Sequence, residues 1–254
     1  MPSLRKLVPA LLALAVFGAP AASAQSFTDA QRGDIEMIVK NYLIAHPEVL
    51  EEAMSELNKR QATAEAEKHE ASITQNAEAI FNSPRGVTLG NKDGDVTFVE
   101  FFDYNCGYCK RAMSDMLDLL KSDPKLKVVL KEFPVLSQGS VEAAQVAVAA
   151  RMQDPTGKKY LDFHQKLLGG RGQADKARAM AAAKDAGFDT AKLEKDMASP
   201  EAKATIEENF KLAEAMGMNG TPSYVIGKQV VVGAVGLEGL KEKISTARCG
   251  KATC

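Results

Sequence analysis

Two cysteines that directly follow an apolar segment constrain the fold of this chain more than any other feature. Val96–Phe102 is rich in apolar and β-branched residues, and Cys106-Gly-Tyr-Cys109 comes almost directly after it. The residues from Lys110 to about Lys121 have a helical pattern. A thiol in the first turn of a helix faces unpaired N–H groups and the positive end of the helix dipole, which favour the reactive thiolate. Strand, CxxC and helix in this order predict a redox centre.

Two other interpretations of the cysteine pair stay open at this point. In the first, the pair is an inert structural bridge. In the second, it is half of a zinc site, which requires two further ligands such as Cys249 and Cys254. The spacing of that second pair differs from the first, which disfavours zinc. Covalent haem is excluded by Lys110, because that motif requires histidine after the second cysteine.

The first 24 residues have the pattern of a signal peptide. A basic start at Arg5 and Lys6 precedes the apolar stretch Leu7–Phe17, and Ala22-Ser-Ala24 supplies small residues for cleavage after Ala24. An uncleaved membrane anchor is the less favoured alternative, because the apolar stretch is short. The pattern predicts an exported protein, which in a bacterium means the periplasm, where disulfides persist.

The charge balance disfavours some classes of partner. Of the 32 basic residues, 30 remain after residues 1–24 are removed, against 33 acidic residues, so the net charge is about −3. A slightly acidic chain is not expected to bind nucleic acid or an anionic membrane. Four cysteines among 254 residues are also too few for a disulfide-stapled scaffold.

Residues 25–80 are predicted to form a separate helical region. Thr28 and Gln31 form a capping box. An apolar stripe at helical spacing follows, made of Ile35, Ile38, Val39, Tyr42, Leu43, Leu50, Met54 and Leu57. Residues 61–76 have few large apolar side chains, which predicts a solvated connecting helix. The stripe either packs on its own domain or joins copies of the chain into a dimer or trimer through residues 26–60.

Residues 81–254 are predicted to be a mixed α/β domain. The strand candidates are 87–89, 96–102, 126–133, 223–226 and 229–232, and a helical insertion covers about 138–217. Within that insertion Ser140 is a candidate N-cap for a helix at 141–152.

Three segments of this domain resemble the DsbA-like thiol–disulfide oxidoreductases. They are Phe101-Phe-Asp-Tyr-Asn-Cys-Gly-Tyr-Cys-Lys110, Glu132-Phe-Pro-Val135 and Gly220-Thr-Pro-Ser-Tyr-Val225. Together with the N-terminal helices, the chain most resembles the ScsC-like (suppressor of copper sensitivity) branch. The resemblance implies an α/β thioredoxin-like fold with an inserted helical domain, preceded by an N-terminal helical extension.

The resemblance also implies roles for individual residues. Cys106 would be the exposed nucleophile and Cys109 the buried resolving thiol. Pro222 would be a cis-proline facing them, and Thr221 would offer backbone groups to a substrate strand. Glu100 would be a buried carboxylate that moves protons, although by pattern alone it could point to solvent at a strand edge.

The residues between the cysteines, Gly107 and Tyr108, differ from the Pro-His pair that is frequent in the oxidase branch. No imidazolium is available here to stabilise a thiolate, so extreme oxidising power is not implied.

The function that follows is thiol–disulfide exchange on exported proteins, as an oxidase or an isomerase. No cofactor and no metal are needed, because the cysteine pair is its own redox group. A membrane partner would reset it, either a quinone-linked oxidase or a DsbD/ScsB-like reductase. Cys249 and Cys254 are expected to pair as a small structural disulfide. The alternative function is an envelope protein that binds copper or zinc through its cysteines.

Overall fold

The computed structural model describes residues 27–154 and 156–254. The predicted signal peptide therefore lies outside the described residues. The chain divides into two compact units, one that ends at Asn58 and one formed by Lys59–Cys254. None of the helices in the described part is both long and apolar enough to cross a membrane.

The first unit contains helix α1 (Asp29–Ala45) and the start of α2 (Glu48–Gln75). The predicted capping box is confirmed: the Thr28 hydroxyl accepts a hydrogen bond from the backbone N–H of Gln31, whose side chain accepts one from the N–H of Thr28. No residue of α1 is buried. The apolar stripe is therefore exposed to solvent.

Helix α2 continues into the second unit and is exposed over most of the stretch that the sequence predicts to be solvated, with Ile73 its one buried residue. Ile73 retains only 3% of its surface and packs with Ile80 of the short helix α3 (Ala77–Phe81). The hydroxyl of Ser72 also donates a hydrogen bond to the carbonyl oxygen of Ala215 at 2.8 Å. One apolar contact and one hydrogen bond therefore attach the end of α2 to the second unit.

The second unit is built on a five-stranded mixed sheet. Its strands are β1 (Val87–Gly90), β2 (Val96–Phe102), β3 (Leu126–Glu132), β4 (Ser223–Ile226) and β5 (Gln229–Val232). They lie in the order β1-β3-β2-β4-β5, with β2 and β3 parallel and the other neighbours antiparallel. The five predicted strands are confirmed, and β2, which precedes the cysteines, is the central one.

Seven further helices surround this sheet. They are α4 (Gly107–Ser122), α5 (Gln138–Gln153), α6 (Lys158–Gly169), α7 (Lys176–Asp185), α8 (Thr190–Asp196), α9 (Pro200–Ala215) and α10 (Gly236–Cys249). Helices α5 to α9 lie between β3 and β4 in the chain. Helix α5 begins at Gln138 because Ser137, rather than the predicted Ser140, accepts the capping hydrogen bond.

Both faces of the central strand β2 are buried, which explains why it is apolar almost throughout. Side chains alternate between the faces of a strand. Phe98 and Phe102 pack on one face with α4 and α6, and Val99 and Phe101 pack on the other with α9. Glu100 has the same parity as Phe98 and Phe102, so the alternation assigns its side chain to the face that carries the cysteines.

Candidate active site

Cys106 is the N-cap of α4, at the point where the chain leaves the central strand. Its backbone is extended (φ −81°, ψ 114°), and its sulfur accepts a hydrogen bond from the backbone N–H of Cys109 at 3.3 Å. A side chain that caps a helix satisfies an N–H group that has no partner within the helix. Both cysteines are free thiols in the structure.

Cys106, the candidate nucleophile, is less exposed than the resemblance implies. Cys106 keeps 6% of its surface in contact with solvent, and Cys109 keeps none. Cys106 lies at the start of α4, after the end of β2 at Phe102, and its sulfur contacts Thr221 in the loop before β4. The relative order, with Cys106 outside and Cys109 inside, is the one that the resemblance implies.

The two thiols have opposite acidities. The hydrogen bond from the Cys109 thiol lowers the pKa of Cys106 from 9.0 to about 6, and the backbone N–H groups of Cys109 and Tyr108 act in the same direction against the effect of burial. Burial raises the pKa of Cys109 well above its usual value. The lowered pKa favours the thiolate of Cys106, the form that attacks disulfides, and the raised pKa favours the protonated thiol of Cys109.

Glu100 is buried on the central strand rather than directed to solvent at an edge. It retains 3% of its surface and pairs in register with Tyr224 of β4. Burial, followed by the charge of Cys106 and that of Asp115, raises the pKa of Glu100 from 4.5 to about 8. The negative charge of Glu100 in turn contributes to the high pKa of Cys109. A carboxyl group with this pKa can exchange a proton near neutral pH.

The loop before β4 lies against Cys106. The Thr221–Pro222 peptide bond is cis, as the resemblance implies. In its protonated form the Cys106 thiol donates a hydrogen bond to the carbonyl oxygen of Thr221 at 3.2 Å. The hydroxyl of Ser223 donates one to the carbonyl oxygen of Gly220 at 2.7 Å. The loop and the thiol are thus in direct contact.

The two residues between the cysteines face outward. A side chain at Gly107 would meet no atom within 4 Å. Tyr108 is 60% exposed, and the guanidinium of Arg111 lies 4.4 Å from the centre of its ring. This cation–π pair leaves a flat, partly apolar surface beside the cysteines.

Asp103 and Asn105 also belong to the site, and the sequence did not single them out. Asp103 accepts hydrogen bonds from the N–H groups of Asn105 (2.8 Å), Val135 (2.9 Å) and Leu136 (3.0 Å). Their position between a buried strand and a cysteine was the only signal in the sequence that could have indicated a role in the site. Most of their hydrogen-bond partners lie more than 30 residues away in the chain, so the sequence could not identify them.

Asn105 ties the cysteine loop to the helical insertion. Its side-chain amide donates to the hydroxyl of Ser140 (3.0 Å) and to the carbonyl oxygen of Ala174 (2.8 Å), and it accepts from the N–H of Ala174 (2.7 Å). This arrangement fixes the position of Cys106 relative to the insertion.

A buried chain of hydroxyl groups runs beneath the loop. Tyr160 donates to the carboxylate of Glu132 at 2.6 Å, and Tyr104 contacts both Tyr160 (3.2 Å) and the ring of His164 (3.3 Å). Burial lowers the pKa of His164 to about 3, so this ring is neutral and acts in packing.

The second cysteine pair lies apart from the first. Cys249 and Cys254 form a disulfide with a Cα–Cα distance of 6.3 Å in the exposed C-terminal tail. They are therefore not joined with Cys106 and Cys109 in one site. Within the described residues, no group of three or more His, Cys, Asp or Glu side chains is arranged to hold a metal ion.

Two models of known protein families match different segments of this chain. A model described as a DSBA-like thioredoxin domain matches residues 97–245, more than half of the 254 residues. A second model, described as the copper resistance protein ScsC N-terminal domain, matches residues 31–64. The first match contains both cysteines of the site and the cis-proline loop.

Solved structures have the same fold. A thioredoxin-like oxidoreductase from Silicibacter pomeroyi DSS-3 is 43% identical, with a TM-score of 0.64 over 67% of this chain and 96% of its own. ScsC of Proteus mirabilis in a transitional conformation is 27% identical, with a TM-score of 0.64 over 89% of this chain and 98% of its own. The second similarity covers both the helical extension and the thioredoxin-like body.

The curated relatives are more distant. Disulfide bond formation protein D of Bacillus subtilis is 27% identical over 64% of this chain and 77% of its own length. Na(+)/H(+) antiporter NhaA 1 of Salinispora arenicola is 24% identical over 63% of this chain. The chain spans only 24% of the length of that antiporter.

Proposed function

The chain belongs to the DsbA-like thioredoxin-domain family and carries an ScsC-type N-terminal domain, and from this premise we propose that it forms or isomerises disulfides in exported proteins. Thiol–disulfide oxidoreductase is the activity of this family. The proposal adds that Cys106 and Cys109 are the catalytic pair, that the substrates are exported proteins and that the reaction takes place in the periplasm.

One observation carries the proposal: the Cys106 sulfur lies at a helix N-terminus, in contact with Thr221, with Cys109 buried behind it. The helix N-terminus favours the thiolate. The cis-Pro222 loop offers extended backbone to a substrate strand beside that thiolate. A purely structural bridge would need neither a lowered pKa nor an adjoining loop.

In the oxidising direction, the thiolate of a substrate attacks Cys106 of the Cys106–Cys109 disulfide. A new S–S bond forms to Cys106, and the old bond breaks with its electron pair on Cys109, which takes up a proton. A second substrate thiolate then attacks the substrate sulfur of the mixed disulfide, so the substrate leaves oxidised and the enzyme pair leaves reduced.

In the isomerising direction, the Cys106 thiolate attacks an incorrect substrate disulfide and releases one substrate thiolate. That thiolate, or another in the same chain, attacks the mixed disulfide and frees Cys106 with no net change in redox state. Where this stalls, Cys109 loses its proton, attacks Cys106 and leaves the substrate reduced. We propose Glu100 as the group that receives this proton.

Export and redox recycling complete the proposal. Cleavage after Ala24 would release the protein into the periplasm, and a membrane partner would reset the cysteine pair. For an oxidase that partner is quinone-linked, and for an isomerase it is a DsbD/ScsB-like reductase. The exposed apolar stripe of residues 35–57 would join copies into a dimer or trimer and hold several sites around one substrate.

The decisive experiment is a glutathione redox titration of the protein without residues 1–24, read by alkylation and mass spectrometry. A two-electron transition of the Cys106–Cys109 pair between roughly −120 and −230 mV is expected for a catalytic couple. The second pair, Cys249–Cys254, serves as an internal reference. If the first pair stays oxidised below about −300 mV, or if bound metal masks it, the pair is structural or ligating and the proposal fails.

A further inference from the structure

A cleft of about 310 Å³ opens directly beside the nucleophile. One wall carries Cys106 and Gly107, and the other is the loop between α6 and α7, which includes Gly170 and Arg171. This volume is at the lower end of the range for small-ligand sites, so it accommodates one or two side chains of a bound polypeptide.

The cleft has a one-sided charge. Lys110, Arg171 and Arg178 line it, and no aspartate or glutamate does. Arg111, which lies over the Tyr108 ring, adds a fourth cation next to Cys106. These cations stand out in a chain whose acidic residues outnumber its basic residues once residues 1–24 are removed.

Two of the cationic side chains hold the backbone that forms the cleft. Lys110 donates a hydrogen bond to the carbonyl oxygen of Gly170 at 2.7 Å, and Arg178 donates to the carbonyl oxygens of Leu167 (3.2 Å) and Gly172. A Cβ at Gly170 would lie 1.9 Å from the Arg178 guanidinium, so a larger residue there would displace that side chain. The acceptors are neutral, so the positive charges are not cancelled.

Of the three cations that line the cleft, Arg171 is the one whose hydrogen-bond donors are available to a ligand. It is exposed, and neither a hydrogen bond nor an ion pair to another described residue is found for it. Throughout the described part of the chain, no carboxylate lies within ion-pair distance of Lys110, Arg171 or Arg178. By contrast, Arg85, Arg151 and Arg248 each have at least one carboxylate partner.

We propose that this cleft binds the carboxylate of an acidic residue next to the reacting cysteine of the substrate, and so selects cysteines in an acidic context. The inference rests on the proposed function. The substrate sulfur must reach Cys106, and residues adjacent to that sulfur then lie within reach of the cleft that Cys106 lines. Arg171 supplies the contact, since a guanidinium matches a carboxylate with two parallel hydrogen bonds.

The test compares two peptides that are identical except for the residues flanking their single cysteine, glutamate in one and glutamine in the other. Each peptide reduces the oxidised protein, and quenched mass spectrometry follows mixed-disulfide formation. Reaction of the same peptides with hydroxyethyl disulfide, which is small and uncharged, corrects for their intrinsic thiol reactivity. At low salt the glutamate peptide is expected to react about three- to tenfold faster, and the ratio is expected to approach one at 0.5 M NaCl.

Arg171→Gln is the decisive variant, and the exposed position of Arg171 keeps the risk of misfolding small. It is expected to remove the preference by slowing the glutamate peptide to about the rate of the glutamine peptide. Lys203→Gln is the matched control, because it changes the charge equally at an exposed position of α9 outside the cleft. Equal corrected rates for the two peptides, or a preference that survives Arg171→Gln, would overturn the inference.

Failure of the proposed function gives a different result. In that case neither peptide forms a mixed disulfide. Binding is then measured with peptides that carry serine in place of cysteine, by NMR shifts of the Arg171 and Gly172 amides. Shifts caused by the glutamate peptide alone support the cleft as a carboxylate site without catalysis, and equal shifts with both peptides, or none, refute it.

Discussion

The Cys106 thiol donates a hydrogen bond to the backbone carbonyl oxygen of Thr221, with 3.2 Å between sulfur and oxygen. The two residues are 115 positions apart in the chain, and the entire helical insertion separates them. Their contact brings the candidate nucleophile and the candidate substrate-binding loop to one point. The predictions that follow test the chemistry of this point and the framework that holds it.

The acidity of Cys106 is the first property to measure. We expect the rate of iodoacetamide alkylation of the reduced protein to rise through an inflection near pH 6, because the hydrogen bond from Cys109 lowers the pKa of Cys106 to about 6. The Cys106→Ser variant is expected to lack this inflection. An inflection near pH 9, the value for an ordinary thiol, would contradict the assignment.

The same pKa shift predicts how stability depends on pH. Between about pH 6 and pH 9 the unfolded Cys106 binds a proton that the folded residue has lost. The free energy of unfolding of the dithiol form therefore gains a contribution as pH rises through this window, and loses it as pH falls through 6. Urea unfolding of the reduced protein and of Cys106→Ser gives the free energy of unfolding of each at pH 5.5 and at pH 8.5. The change between the two pH values is expected to be larger for the unchanged protein than for Cys106→Ser, and the difference is the contribution of Cys106.

Replacing Glu100 with glutamine is expected to slow the release of trapped mixed disulfides about tenfold or more. Cys109 must lose its proton before it attacks, and Glu100, with a pKa near 8, accepts that proton. The measurement is the lifetime of the mixed disulfide as a function of pH, where the inflection near pH 8 should disappear. Glu132→Gln is the matched control, since Glu132 is an equally buried carboxylate on the neighbouring strand. Equal lifetimes in the two variants would refute the role of Glu100.

Arg85→Ala is expected to lower the free energy of unfolding by about 1–2 kcal/mol. Its guanidinium bridges Glu201 (3.1 Å) and Glu208 (2.8 Å), and so attaches α9 to the segment before β1. The comparison is Lys203→Ala, which removes an exposed pair with Glu207 on one helix and is expected to cost about 0.3–0.5 kcal/mol. Urea denaturation of both variants decides the point. A loss for Arg85→Ala no larger than that of Lys203→Ala would show that the bridge is as weak as a surface pair.

The C-terminal disulfide is expected to be dispensable for exchange. It closes a loop with a sequence separation of 5 in an exposed tail, and a loop this short removes at most about 2 kcal/mol of unfolded-chain entropy. The double variant Cys249→Ser/Cys254→Ser should oxidise a dithiol peptide within about twofold of the unchanged protein. A larger loss would make the tail part of the redox relay, and a loss restored by zinc would favour the metal-binding alternative.

The exposed stripe of α1 is expected to mediate self-association. Ile38 is 67% exposed and Tyr42 is 54% exposed on this stripe. Ile38→Glu should therefore shift the protein to monomers in analytical ultracentrifugation. Met37, 60% exposed, lies about 200° around the helix from Ile35, on the other side. Met37→Glu should leave the assembly intact, and a monomer before any substitution would refute the expectation.

Local pattern was sufficient for much of the fold. The five strands, the capping box of α1 and the cysteine at the start of α4 all follow from alternation, helical periodicity or capping chemistry, each of which acts over a few neighbouring residues. The start of α5 shows where such reasoning fails. Both Ser137 and Ser140 suit an N-cap, and Ser140 is instead buried against Asn105, 35 residues away in the chain.

The position of the thiol pair between an apolar strand and a helix could be read from the amino-acid sequence, because those signals are local. The surroundings of the pair follow from the three-dimensional fold. Glu100 is buried on the central strand, and Asp103 accepts hydrogen bonds from Val135 and Leu136. The cationic cleft is lined by Cys106 and Arg171. Each of these features joins segments that are distant in the chain. Such contacts depend on which elements the hydrophobic core brings together, and that choice is made by the whole chain rather than by any one segment.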